Sequence, residues 1–419
     1  MIYKILRPLA ALALTIYFRK IYVIDAHHLP KHGPVILACN HPSAFMEACL
    51  LACFLPRPLH FLTRGDFFKR GLATWFLRQT NQIPIYRARD GFGNLRSNKE
   101  TFEACYDRLA RGDVILMFPE ARTILEKRLR PVQKGAARIG LGVTGRHPDV
   151  VPVIVPVGVT YSDPRQPGGD VILKFSKPIA LKDYTDQFRE QPQEAVRVVT
   201  ERLEAAMRSL IIHFDDVSRE QIFDLIMPVL ETAPQPFPVV SRSTSAFDEQ
   251  QAIATMLNEM DNETFERMRG LPRVAAEYGE IVRPALQRAF DRPPSISVGL
   301  PVYLAGKAVN APVNLLLDVI VARITAETFK GPVRAMAGFI ICAAYYLIIV
   351  LIGGWYFGSW GAMGGLVVVM IGYFAVANAR MSDQVHWLRW SFSRRTTRQQ
   401  ITQALAPATE AIGTRDRSG

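Results

Sequence analysis

"PVILACNHPSAFME" (Pro34–Glu47) decides the fold. Its first half is an unbroken apolar run rich in β-branched residues, the pattern of a strand covered on both faces. Asn40, His41, Pro42 and Ser43 are poor at continuing such a strand, so the chain leaves it there, with Glu47 placed to turn back toward His41. Three more runs of the same character follow: "DVILMFPE" (Asp113–Glu120), "VVPVIVPVGVTY" (Val150–Tyr161) and "DVILKFSKPI" (Asp170–Ile179). Helical stretches separate them. The clearest opens at Ser97, with Glu100 completing a capping box, and stops at Gly112. Another is predicted from Gln193 to Ile212 by its apolar spacing. Strands alternating with helices imply an α/β layered domain.

A histidine leaving the C-terminal end of a buried strand sits where α/β sheets place ligands, and a carboxylate behind it fixes its tautomer and stabilises the imidazolium formed on proton abstraction. His41 and Glu47 therefore form a candidate general-base pair; a chance meeting of loop residues is the plainer alternative. No GxSxG elbow accompanies them, and Ser43 is too near His41 in sequence to serve it, so the abstracted proton is expected to come from the substrate. "NQIPIYRARDG" (Asn81–Gly91) places Arg87 and Arg89 after a short apolar run, and "MFPEART" (Met117–Thr123) places Glu120 and Arg122 at the end of the second strand. Arginine's planar fork suits phosphate, and Glu120 can accept from a substrate hydroxyl or hold an arginine in place.

The chain has 419 residues and a formal charge of +12, from 50 basic and 38 acidic side chains. That charge suits an anionic membrane surface; no nucleic-acid-binding motif accompanies it, so nucleic acid is not an expected partner. The five cysteines, odd in number and without a CxxC pair, read as reduced core thiols. Pro8 to Phe18 is apolar but too short to span a bilayer, and its basic borders (Lys4, Arg7, Arg19, Lys20) fit an interfacial anchor or an ordinary first helix. From Ala335 through Ala379 no residue is Asp, Glu, Lys or Arg. That length fits two membrane helices of about 20 residues each, turning at "FGSWGAMGG" (Phe357–Gly365), although a buried hairpin of a soluble core fits it too. Lys330, Arg334, Arg380, Arg389, Arg394, Arg395 and Arg398 flank the pair and put both ends on the cytoplasmic side by the positive-inside rule. Thr232–Ser245 reads as a linker, Asp248–Arg292 as charged and helical, and Ser295–Ile324, interrupted by Gly, Pro and Lys, as lying on the membrane rather than spanning it.

In this order and spacing the blocks resemble the glycerolipid acyltransferase family, which includes the glycerol-3-phosphate and lysophosphatidate acyltransferases, over roughly Leu29 to Ile179. "NHPSAFME" resembles the His-x4-Asp block, "QIPIYR" the second block with its phosphate-binding arginine, "FPEART" the Phe-Pro-Glu-Gly-Thr-Arg block, and "VPVIVPVGVTY" the fourth, proline-bearing strand. "LRPVQKGAARIG" (Leu129–Gly140) resembles the stretch after the third block. The resemblance implies a glycerol-3-phosphate acyltransferase-like α/β domain with a mostly parallel or mixed sheet, a C-terminal helical region and a transmembrane hairpin. It implies His41 as the base that deprotonates the acceptor hydroxyl, Glu47 as the acid that orients it, and Arg87, Glu120 and Arg122 as holders of the acceptor's phosphate and glycerol. Arg64 and Lys134 add charge by position and sign alone. Attack on the acyl thioester of coenzyme A or acyl carrier protein is expected to be direct, with no acyl-enzyme, cofactor or metal.

Two departures stand out. The acid falls one residue later than usual and is Glu, a wider spacing similar to that of the fungal glycerol-3-phosphate and dihydroxyacetone-phosphate acyltransferases, which also carry C-terminal membrane helices. Ala121 replaces the usual glycine; if that position needs a positive φ, alanine costs about 1 kcal/mol. The expected organisation is an N-terminal interfacial segment (1–24), an acyltransferase domain (25–220), a linker and helical region (221–330), a transmembrane hairpin (331–380) and a basic tail (381–419). The expected setting is the membrane, with the acyltransferase domain on the cytoplasmic face. The rival expectations are the same chemistry on another lysolipid, such as a lyso-ornithine lipid, and a catalytically silent lipid-binding membrane protein.

Overall fold

The structure, a computed structural model, describes residues 2–68, 71–85, 95–230, 239–279, 282–289, 297–378, 381–391, 393, 398–399, 401–403 and 405–406. Helix α1 (Ile2–Tyr17) leads into β1 (Lys20–Ile24) and β2 (Val35–Cys39), followed by α2 (Met46–Phe54), β3 (Leu59–Arg64), α3 (Leu72–Gln79) and β4 (Gln82–Ile85). Next come α4 (Leu95–Ala110), β5 (Val114–Met117), α5 (Gly135–Gly142), β6 (Val153–Tyr161), β7 (Asp170–Phe175) and β8 (Ile179–Ala180). Helices α6 (Thr185–Glu190), α7 (Pro192–Arg208) and α8 (Val217–Leu230) precede β9 (Val239–Ser241). The rest is helical: α9 (Ser245–Glu259), α10 (Asn262–Met268), α11 (Leu271–Tyr278), α12 (Val282–Ala289), α13 (Leu300–Ala322), α14 (Glu327–Ala377) and α15 (Ser382–Ser391).

Among the described residues the strands form one sheet in the order β4-β3-β5-β2-β6-β7-β1-β9, with β8 on β6. Strands β4 through β6 are parallel, β7 turns antiparallel to β6, and β1 and β9 run parallel to β7. The apolar run that predicted β2 is buried at every residue, because alternate side chains serve two layers. Leu37 and Cys39 face a core shared with Leu14 of α1 and Leu50 of α2, whereas Ile36 and Ala38 face one shared with Ile139 of α5 and Leu203 of α7. Burying each such aliphatic side chain contributes roughly 1.5–3 kcal/mol.

Several boundaries differ from the sequence expectation. β1 belongs to the sheet, although Lys20 was read as the border of an N-terminal segment, and the buried pair Arg19 and Asp170 (Nε to Oδ1 2.8 Å) holds it beside β7. The Asp170–Ile179 run divides into β7 and β8. Val239–Ser241, inside the stretch read as linker, pairs with β1, while residues 232–238 of that stretch lie outside the described residues. Helix α4 starts at Leu95, so Ser97 falls inside it rather than at its cap. α1 begins earlier than Pro8 and takes that proline into its body; it buries Ala13, Leu14 and Tyr17 and leaves Ile5, Leu9 and Leu12 exposed.

The C-terminal apolar segment is a hairpin. α14 is broken once, at Gly358 (φ +63°, ψ −147°), inside the stretch where a turn was expected. Its arms, 327–357 and 359–377, return on each other so closely that a Cβ on Gly361 would collide with the Gly353 carbonyl oxygen. The glycine, proline and lysine that suggested a broken, membrane-lying segment do not interrupt α13, which runs unbroken through Pro312. It packs on the hairpin at Gly306 and Asn310, whose Nδ2 donates to the Gly372 carbonyl at 2.9 Å, and Tyr346 donates to Asn310 Oδ1. Both α13 and α14 are long and apolar enough to cross a membrane. Leu347, Leu351, Trp355 and Leu366 face outward, which a soluble core would not leave so.

Candidate active site

Because β5, β2 and β6 are parallel neighbours, their C-terminal ends open on one edge of the sheet, where α/β folds bind ligands. Asn40 keeps the β2–β6 ladder intact as the main chain turns away: its Nδ2 donates to the Val159 carbonyl (2.9 Å) and its Oδ1 accepts from the Val159 amide (2.7 Å). His41 then emerges with its ring stacked on Phe118 at the end of β5, centroids 3.9 Å apart and planes 10° from parallel.

The loop to α2 bends through Ala44, whose φ is +43°, and α2 starts at Met46. That bend accommodates the longer spacing: Glu47, in the first turn of α2, returns to place Oε2 3.1 Å from His41 Nδ1. Its Oε1 accepts from the Ser43 amide (2.7 Å) and the Tyr161 hydroxyl (3.1 Å). Glu47 is fully buried, and three donors plus the positive pole of a helix N-terminus compensate the charge. A carboxylate acting as acceptor makes Nδ1 the protonated nitrogen, so Nε2 carries the lone pair. Among the described residues nothing bonds Nε2, and the His41 side chain is 17% exposed.

The nearby Cys39, Tyr161 and Ser43 are unsuited to nucleophilic attack. Burial, with the charges of Glu47 and Glu120, holds the Cys39 thiol well above its ordinary pKa, so it remains a thiol. Burial and the Glu47 charge do the same to Tyr161, which stays a donor. Ser43 Oγ is directed at the Thr328 carbonyl, 3.5 Å away, not at His41.

Glu120 has partners that the sequence reading did not anticipate. Its oxygens accept from main-chain amides, Oε2 from His41 (2.7 Å) and Oε1 from Arg130 (2.8 Å). Burial raises its pKa, opposed by those two hydrogen bonds. It braces the histidine's backbone against the far end of its own loop. Ala121 follows at φ +53°, so the position does need a left-handed residue. Arg122 comes next, exposed and, among the described residues, unpaired. Arg64 instead pairs with Asp66 at 2.6 Å, and Lys134 stands exposed before α5. Arg87 and Arg89 lie outside the described residues. Among the described residues no three His, Cys, Asp or Glu side chains cluster to hold a metal ion.

Sequence reasoning missed Tyr161, which ends a buried strand where its hydroxyl must find a partner; that requirement was the available signal. It also missed Asn40 as a ladder extension and the Phe118 ring as a platform for His41.

Residues 20–160 match the family model described as Acyltransferase. A 1-acyl-sn-glycerol-3-phosphate acyltransferase from Chlamydomonas reinhardtii is 31% identical over 127 residues, 30% of this chain and 36% of that protein. Glycerol-3-phosphate O-acyltransferase 2 of Saccharomyces cerevisiae is 24% identical over 33% of this chain and 19% of its own length. The match thus spans about a third or less of these relatives. The crystal structure of the 1-acyl-sn-glycerophosphate acyltransferase PlsC from Thermotoga maritima superposes with a TM-score of 0.35 at 21% identity, covering 48% of this chain and 80% of that one. The segment that carries His41, Glu47 and Glu120 is thus similar to the acyltransferase domains of glycerolipid acyltransferases.

Proposed function

We propose that the protein is a membrane-bound O-acyltransferase that moves a fatty acyl group from acyl-CoA or acyl carrier protein to a hydroxyl of glycerol 3-phosphate or 1-acylglycerol 3-phosphate. The observation that carries this is the His41–Glu47 pair, a base oriented by a buried carboxylate with, among the described residues, no serine or cysteine hydrogen-bonded to it. His41 Nε2 takes the acceptor's hydroxyl proton as its oxygen attacks the thioester carbonyl. The imidazolium, steadied by Glu47, returns the proton to the departing thiolate as the tetrahedral adduct collapses. The free thiol and the new ester leave without any covalent enzyme intermediate. Arg122 would meet the acceptor's phosphate, with Arg87 as its partner in that role.

The α13–α14 bundle would hold the domain at a bilayer, with the charges near both ends of the hairpin placing the domain on the cytoplasmic face. The test is acyl transfer by the membrane-reconstituted protein to glycerol 3-phosphate, 1-acylglycerol 3-phosphate and a phosphate-free lysolipid. Transfer to a phosphate acceptor that is lost in His41→Ala supports the proposal. Exclusive transfer to the phosphate-free lysolipid removes the acceptor assignment, and no transfer by folded protein removes the activity.

A further inference from the structure

The foot of α14 reaches past the apolar arms of the hairpin and packs on the loop that carries His41. Ser43 Oγ lies 3.5 Å from the Thr328 carbonyl, and the Phe45 and Phe329 rings meet edge to face with centroids 6.2 Å apart. Two residues after Phe329, Gly331 is buried against the start of the β6–β7 connection. A Cβ there would collide with the Pro164 carbonyl oxygen and lie 2.8 Å from its carbon, so only glycine permits the approach. The same carbonyl accepts from the Tyr17 hydroxyl at 2.9 Å, tying α1 to the junction. Ala335 then enters the core that includes Leu37, Cys39 and Met46.

These contacts bear on both members of the pair. Ser43 and Phe45 belong to the His41 loop, whose bend at Ala44 is held in the left-handed region that alanine disfavours. Pro164 follows Tyr161, the donor to Glu47, by one short turn of chain. α2 has no side-chain cap of its own, so the loop depends on outside contacts to keep its shape. Arg334, paired with Asp318 of α13 at 2.7 Å, fixes the foot's other side.

We propose that the foot of α14 positions the His41–Glu47 pair, making Phe329 and Gly331 positioning residues and the hairpin a part of the active-site framework rather than only an anchor. This rests on the acyltransferase reading above. A misplacement of about 1 Å in a reacting group lowers turnover by as much as 10²-fold, so a shifted foot shows in kcat before it shows in substrate binding.

The experiment compares full-length wild type, Gly331→Val, Phe329→Ala, Phe329→Tyr and Gly353→Val in lipid nanodiscs. Acyl transfer and amide hydrogen exchange of residues 42–47 are both measured. Gly353→Val adds bulk where the two arms meet near the hairpin tip, away from the foot. The expected result is a kcat loss of roughly 10–100-fold in Gly331→Val and Phe329→Ala, with KM for the acyl donor within about twofold. Exchange at 42–47 rises in both, Phe329→Tyr restores activity, and Gly353→Val retains it. Wild-type kcat and unchanged exchange in membrane-bound Gly331→Val and Phe329→Ala would overturn the proposal. Equal losses in Gly353→Val would overturn it too, because the effect would then belong to the hairpin as a whole. If Gly331→Val does not fold, Phe329→Ala decides alone. Wild type inactive on every acceptor would sink the acyltransferase reading, and the exchange data would still decide whether the foot orders the loop.

Discussion

The loop after β2 (residues 40–45) and the loop after β5 (residues 118–134) leave adjacent parallel strands at one edge of the sheet, and each contains an alanine at positive φ and leads to or holds a buried glutamate. In the first, the glutamate addresses an imidazole nitrogen. In the second, it addresses two peptide N–H groups, one from each loop. The same side chain thus meets an imidazole in one place and peptide amides in the other. What separates the two is the partner that the fold delivers, not burial or motif membership.

If this division is right, changes on the β2 side strike turnover and changes on the β5 side strike stability first. The largest effect is expected from His41→Ala, a fall in acyl transfer of roughly 10²–10⁴-fold with the fold retained, checked by single-turnover assay beside circular dichroism. Glu47→Gln is expected to lower kcat roughly 10–100-fold, since the amide still fills the space but no longer steadies an imidazolium. Glu120→Gln keeps one acceptor oxygen and puts an NH₂ against a peptide N–H; stability should drop by about 1–3 kcal/mol, read as a denaturation midpoint, with a smaller kcat loss than Glu47→Gln. A Glu120→Gln enzyme as slow as Glu47→Gln but as stable as wild type would break the comparison.

A pH series sharpens it. Burial raises the Glu120 pKa, so below neutrality the folded state binds protons more readily than the unfolded chain, and this group's contribution to stability is present at low pH and lost as pH rises through the raised value. The wild type's advantage in midpoint over Glu120→Gln should therefore widen as pH falls from 7 toward the ordinary carboxylate range. The smallest effect is expected from Ala121→Gly, which relieves a left-handed alanine and should raise stability by no more than about 1 kcal/mol with turnover unchanged.

The His41–Glu47 pair was legible because its determinants are local: a buried run announces β2, and the residues that end it are six positions from the carboxylate that returns. The partners of Glu120 were not, because they are amides at residues 41 and 130, brought together only by parallel pairing of β2 with β5 and the closing of the long loop. The positive φ at Ala121 was readable as a condition, since a glycine is the usual occupant there. The sequence reading also passed over β1, β3, β4 and β9: polar or charged residues break β1 and β3 (Lys20, His60, Arg64), Pro84 lies in β4, and β9 has only three residues after a proline-rich stretch, so none stands within a long apolar run like those that announced β2 and β6. The hairpin was legible from composition, but α13 misled, because a proline and glycines that interrupt an isolated helix are tolerated where neighbouring helices pack on it.

The break at Gly358 divides α14 unequally, 31 residues (327–357) against 19 (359–377). At 1.5 Å per residue the arms measure about 46 Å and about 28 Å. The shorter matches a hydrocarbon core of about 30 Å, so the longer overshoots it by roughly 16 Å. That overhang is a ruler: the count of residues between Gly358 and Gly331 sets how far His41 stands from the oily layer. Adding one helical turn there would lift the site by about 5.4 Å, and deleting one would draw it toward the lipid.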